Sequence, residues 1–99
     1  MFISGQLGLT ANGQFAGEDV ASQARQAMDN LQAILKEAGL NMADVIKATI
    51  FLADMNDFAA VNEIYQEYFN PPYPARACVQ VARLPKDGKV EIEVIAGRE

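Results

Sequence analysis

Histidine does not occur in this 99-residue chain, and cysteine occurs once. Without an imidazole, the triads and dyads that depend on a histidine base are excluded. A lone thiol cannot close an internal disulfide or assemble the ligands of a usual zinc site, so neither metal nor cofactor is expected. It also fits a reducing compartment. Runs of lysine or arginine are missing as well. With 8 basic against 13 acidic side chains and a formal charge of −5, there is no basic patch to displace counterions, and nucleic acid is not an expected partner. No apolar run approaches the roughly 20 residues that span a bilayer, and no basic segment precedes an apolar one at the start. The expectation is a cytoplasmic protein with no membrane contact. Linkers, low-complexity tracts and heptads are absent too.

What is present is apolar residue in excess. Hydrophobic types make up 51% of the chain and charged types 21%. A chain of this length forms one domain, residues 1–99, and buries only about two thirds of its unfolded surface. Part of the apolar surplus is therefore expected to meet another copy.

Residues 1–4 read as a strand, followed by a Gly-rich turn region over 5–17. Over residues 18–38 the apolar positions Val20, Ala24, Ala27, Leu31, Ile34 and Ala38 recur at helical spacing. Glu18 and Asp19 suit the positive end of that helix, Lys36 suits the other, and Gly39 stands where the chain leaves the last turn. Residues 44–53 alternate, with Ile46, Ala48, Ile50 and Leu52 on one face and Lys47, Thr49 and Phe51 on the other. Residues 54–57 offer helix-starting side chains to a second helix with the stripe Phe58, Val61, Ile64, Tyr65 and Tyr68, ending before Pro71 and Pro72. Two more alternating segments, 76–82 and 89–96, are separated by a loop containing Asp87-Gly88, a strong turn signal that reads as a hairpin.

The order β, α, β, α, β, β predicts an α+β fold of two layers, a mixed sheet with two helices on one face. Under the hairpin reading, Ala77, Val79 and Val81 face the helices together with Val90, Ile92 and Val94. The other face carries Arg76, Cys78, Gln80, Glu91, Glu93 and Ile95, a half-dry surface that suits a subunit interface.

Arg76 is the costliest of these side chains to desolvate. It can pair with Glu91 or Glu93 across strands. A short hairpin, however, sets Gln80 opposite Glu93 and leaves Arg76 roughly 20 Å from Glu91 along the ladder. A half-buried guanidinium without an internal carboxylate points to a small carboxylate from outside, held by two parallel hydrogen bonds. If Arg76 of one chain approaches Glu91 of another, the oligomer becomes part of the site.

The stretch Pro74-Ala75-Arg76-Ala77-Cys78-Val79-Gln80-Val81-Ala82-Arg83-Leu84-Pro85, followed by Val90-Glu91-Ile92-Glu93, resembles the C-terminal signature of the RidA/YjgF family of reactive-intermediate deaminases. Ile3-Ser4-Gly5-Gln6, the run from Gln23 to Leu31, and Val61-Asn62-Glu63-Ile64-Tyr65 extend the resemblance over essentially the whole chain. It implies a homotrimer with a chorismate-mutase-like (YjgF-like) fold and clefts between subunits. The implied activity is hydrolysis of enamine and imine acids, such as 2-aminoacrylate/2-iminopropanoate and 2-iminobutanoate, to 2-keto acids and ammonia. Arg76 matches the arginine that binds the substrate carboxylate, Cys78 a residue whose backbone amide helps hold it, and Gly5 a glycine of the pocket wall. Glu91 matches the carboxylate that positions water. Ala77 and Asn62 join the substrate-binding set, although Asn62 on its helix can face either solvent or the cleft.

An imine is already electrophilic, so its hydrolysis asks for orientation, a polarised water and a proton for the departing nitrogen. Glu91 can move those protons, and Glu93 reads as a solvated strand glutamate. Cys78 lacks the histidine or helix N-terminus that makes a thiolate reactive and reads as a small apolar residue. Tyr65 and Tyr68 read as core or interface. The resemblance departs from its pattern in two places. Family members carry a preceding strand and a tyrosine that closes the pocket, whereas this sequence starts inside what would be the second strand. Leu7 stands where proline is common. Either the start is trimmed or the cleft is more open. A keto- or imino-acid-binding regulatory trimer is the alternative reading, with ribonuclease and chaperone-like holdase behind it.

Overall fold

The computed structural model describes residues 1–97, which form four strands and two long helices in the expected order. Helix α1, Val20–Glu37, begins where Asp19 accepts a hydrogen bond from the Ser22 amide at 2.9 Å. Its apolar stripe Ala24, Ala27, Met28, Leu31 and Leu35 is buried. At the far end Gly39 takes φ +78°, letting the Leu40 amide return to the Leu35 carbonyl at 2.8 Å and the Gly39 amide to that of Lys36. Helix α2, Phe58–Gln66, follows a single 3₁₀ turn, Met55–Asp57, which Asp54 caps through the Asn56 amide. It buries Val61, Ile64 and Tyr65.

The strands β1 (Phe2–Leu7), β2 (Val45–Leu52), β3 (Ala75–Gln80) and β4 (Val90–Ala96) form one mixed sheet in the order β1-β4-β2-β3. β4 runs antiparallel to both β1 and β2, and β3 runs parallel to β2 along the edge. Ile3, Ala48, Ile50, Leu52, Val90, Ile92, Val94 and Ala96 are buried on the face that meets the helices. No helix of the described residues is long and apolar enough to cross a membrane.

Three expectations are corrected. The hairpin does not form, because β2 lies between β3 and β4. The loop between them still turns sharply, with Lys86 and Asp87 at positive φ and Gly88 at φ −61°. Pairing with β2 places Arg76 beside Ala48, Cys78 beside Ile50 and Gln80 beside Leu52. Cross-strand neighbours share a face, so Arg76, Cys78 and Gln80 point to the helix side, while Ala77 and Val79 point away with Thr49 and Phe51. Finally, a register irregularity between Val45 and Lys47 turns Ile46 out of the core, leaving it 57% exposed.

The 8–19 loop that joins β1 to α1 is tied down by two amide side chains. Buried Gln23 donates to the Gly17 carbonyl at 3.0 Å and accepts from the Lys89 amide at 2.8 Å. Asn30 donates to the carbonyls of Leu7 and Leu9. These bonds fix the end of β1 beside the start of β4, where two of the candidate residues lie.

Candidate active site

The candidate residues fall into two groups on opposite faces of the sheet. The first is built on the edge strand β3 and on α2. Residues 58, 62 and 65 lie at i, i+4 and i+7, so Phe58, Asn62 and Tyr65 share one face of α2. Arg76 is exposed in the single chain, where a half-buried guanidinium was expected; brought to the helix side by its pairing with Ala48, it reaches that face, and its Nη1 donates to Oδ1 of Asn62. Its Cζ lies 5.5 Å from the Phe58 ring centroid and 5.3 Å from that of Tyr65, within cation–π range. Among the described residues no carboxylate forms an ion pair with Arg76. The other arginine pairs seen, Arg25 with Glu67 and Arg83 with Asp87, lie elsewhere on the surface.

Cys78, two residues along the same strand face, is half-buried against the core. Burial pushes its thiol above the ordinary 9.0, and the nearby guanidinium only partly offsets this. A thiol held protonated at neutral pH is a poor nucleophile. Its backbone, adjoining Arg76 on an edge strand, is the part able to serve a ligand. Gln80, further along, accepts from the Met55 amide at 2.7 Å and so anchors the entrance to α2.

The second group lies on the face without helices. Glu91 is half-buried between the core residues Val90 and Ile92 and points outward. Gly5 of β1 sits directly beneath it: a Cβ on Gly5 would lie 2.6 Å from Glu91 Cδ and 2.9 Å from Oε2. The carboxylate therefore occupies the space that the missing side chain leaves. Ala77 is on this outer face too, separated from Arg76 by the thickness of the sheet. Glu93 is exposed, as its sequence position implied.

Within one chain Arg76 and Glu91 do not meet. Arg76 aligns with Ala48 and Glu91 with Phe51, three residues further along, and the two strands are separated by β2. That is roughly 10 Å along the strands and roughly 10 Å across them, on opposite faces. The two stay apart as expected, but the roughly 20 Å along a hairpin ladder is replaced by this shorter offset across β2, with the sheet itself between them. Among the described residues no three potential metal ligands of the His, Cys, Asp or Glu types come together.

Sequence reasoning did not assign Phe58 to the site, and it placed Tyr65 in the core or at an interface. The signal was the helical spacing around Asn62: a residue four before and one three after must share its face. Tyr65 is indeed buried, its ring centroid 4.7 Å from that of Phe69, while its other contact is the guanidinium.

Comparison with known proteins identifies the family. The model of a family described as endoribonuclease L-PSP matches residues 1–97. A 2-iminobutanoate/2-iminopropanoate deaminase of Capra hircus is 54% identical over 97 residues, covering 97% of this chain and 71% of the relative. The protein of the same name from Escherichia coli K12 is 51% identical over 101 residues, covering 99% and 79%. Among solved structures, Escherichia coli TdcF with bound serine superposes with a TM-score of 0.93 at 49% identity, covering 99% of this chain and 80% of that one. The YjgF gene product of Escherichia coli gives the same TM-score, identity and coverage. The chain thus belongs to the endoribonuclease L-PSP family, the RidA/YjgF family of the deaminases it resembles.

Proposed function

We propose that this protein hydrolyses small 2-imino acids and their enamine tautomers, 2-iminopropanoate and 2-iminobutanoate among them, to 2-keto acids and ammonia. The observation that carries the reading is Arg76: a guanidinium with an amide and two rings around it and no ion-pairing carboxylate among the described residues. A guanidinium so placed has donors left for a planar anion, and a 2-imino acid presents one beside its reactive carbon. The relatives' names agree with this chemistry.

The site is completed between chains. Arg76, Asn62 and the Cys78 backbone at the β3 edge of one subunit meet Glu91 and Gly5 on the outer sheet face of the next in a homotrimer. Exposed apolar side chains on or beside that face, Val79 and Phe2, support the assembly. The clamp fixes the substrate carboxylate, and Glu91 takes a proton from water as its oxygen bonds to the imine carbon. Glu91 returns that proton to the nitrogen, and the resulting carbinolamine loses its C–N bond as its hydroxyl proton passes through Glu91 to the departing nitrogen, leaving the keto acid and ammonia.

The test is a coupled assay on 2-iminopropanoate released freshly by an amino-acid oxidase or dehydratase. The wild-type protein is expected to accelerate keto-acid release, and Arg76→Ala to abolish the acceleration while retaining its circular dichroism. Wild-type rates in Arg76→Ala would remove the mechanism. Binding of 2-ketobutyrate without any rate enhancement would instead make the protein a keto-acid-binding trimer.

A further inference from the structure

Arginine carries considerable side-chain rotamer entropy, which a carboxylate clamp loses on binding unless the fold has already removed it. Here contacts that would restrict it are in place, although Arg76 is exposed in the single chain. The guanidinium of Arg76 lies 5.5 Å from the Phe58 ring and 5.3 Å from the Tyr65 ring, both from one face of α2, and Asn62 between them takes one of its five N–H groups. The Tyr65 ring cannot easily swing away. It is only 5% exposed and packs on Phe69 with centroids 4.7 Å apart and planes at 43°. Its hydroxyl is buried with no hydrogen-bond partner among the described residues, an arrangement that costs stability, so packing fixes the ring.

We infer that Tyr65 and Phe58 are positioning residues for the Arg76 clamp, their ring faces setting the plane of the guanidinium so that its free edge presents two parallel N–H bonds to a substrate carboxylate. This rests on reading Arg76 as that clamp. Burial raises the Tyr65 phenol and the Arg76 charge partly counters it, as expected for a ring and a cation in mutual range. Because the carboxylate keeps its charge and its bonds throughout the reaction, its contacts act alike in the ground and transition states. Weakening them raises KM and leaves kcat in place.

The experiment compares Phe58→Leu, Tyr65→Leu and Tyr65→Phe for imine turnover, for affinity toward 2-ketobutyrate, and for Arg76 Nε–H line shape by ¹⁵N NMR. Each Leu variant is expected to raise KM and the 2-ketobutyrate Kd by about threefold to tenfold, the range that one cation–π contact supports, with kcat within twofold. Tyr65→Phe keeps the ring and is expected to rescue both constants while melting at or above the wild-type temperature. The NMR signal, observed without substrate, should pass from restricted to freely averaging guanidinium rotation in the Leu variants only. Unchanged NMR and unchanged Kd in Phe58→Leu, a half-buried position that tolerates the change, would overturn the inference. So would Tyr65→Phe losing as much as Tyr65→Leu. A wild-type protein that shows the restricted NMR signal yet neither binds nor turns over these acids would instead refute the proposed function, leaving the ring cradle as a fact about Arg76.

Discussion

A methyl group on Gly5 would overlap the Glu91 carboxylate, and this makes one glycine a sensitive probe of the proposed chemistry. The obstacle is the far end of a flexible side chain, so Gly5→Ala can be accommodated by moving Glu91 and the fold should persist. Proton-transfer groups contribute about 100-fold or more to rates. The expected result is a kcat loss of at least about tenfold, approaching that of Glu91→Gln, with an unchanged melting curve; full activity in Gly5→Ala would show that the position of Glu91 does not matter. Cys78 makes the opposite case. Its thiol is pushed up by burial, so alkylation at pH 7.5 should be slow compared with free cysteine, and Cys78→Ala should retain turnover because only its backbone is used. Rapid alkylation accompanied by inactivation would contradict this. Arg76 could be chosen from the sequence because a guanidinium inside an alternating strand conflicts with its surroundings, whereas Glu91, Gly5 and Asn62 took their roles from the family resemblance. The rings of Phe58 and Tyr65 could not, since an aromatic on an amphipathic helix satisfies the pattern whether or not it also meets a cation.

Among the elements, both helices and all four strands could be read from spacing to within a few residues, but the place of β3 in the sheet could not. Its residues alternate between two nearly equivalent faces, Ala77 and Val79 on one and Cys78 on the other, so burial alone does not choose the orientation. The choice is made by parallel pairing with β2, a long-range contact with no local signature, whereas Asp87-Gly88 advertises a hairpin that β2 displaces. Helix α2 is fastened to α1 on the surface by two contacts. Arg25 grips Glu67 through both guanidinium nitrogens at 3.1 and 3.2 Å, and the Tyr68 hydroxyl donates to Asp29 at 2.7 Å. Burial first, and the Asp29 hydrogen bond second, push the Tyr68 phenol up from 10.0 to about 12. The folded chain holds that proton more tightly than the unfolded chain does. Its contribution to stability is therefore complete below about pH 10 and lost as pH rises through about 12. Chemical denaturation between pH 9 and pH 12 should show a shallower decline in Tyr68→Phe than in the wild type; equal slopes would mean the phenol does not report on helix docking.

At the scale of the whole molecule, the sheet has helices on one face only, and the other carries Phe51, Thr49, Val79 and Glu91 toward the outside. Composition had already indicated more apolar residue than one small core absorbs. Family resemblance, more than any pattern of spacing, supplied the expectation of three chains. Val79 is 43% exposed, so Val79→Glu should leave the chain folded. Light scattering should then find monomers, and imine turnover should disappear with the assembly; a trimeric, active Val79→Glu would place the contact surface elsewhere. The separation of Arg76 and Glu91 by the sheet has one more consequence, a genetic one. In the proposed trimer each polypeptide contributes a different half to two different clefts, so an allele lacking the arginine and an allele lacking the glutamate would not be equivalent defects. Co-expressed, they would regenerate intact clefts wherever the sound half of one product abuts the sound half of the other, and a cell carrying both would recover activity that neither allele supplies alone.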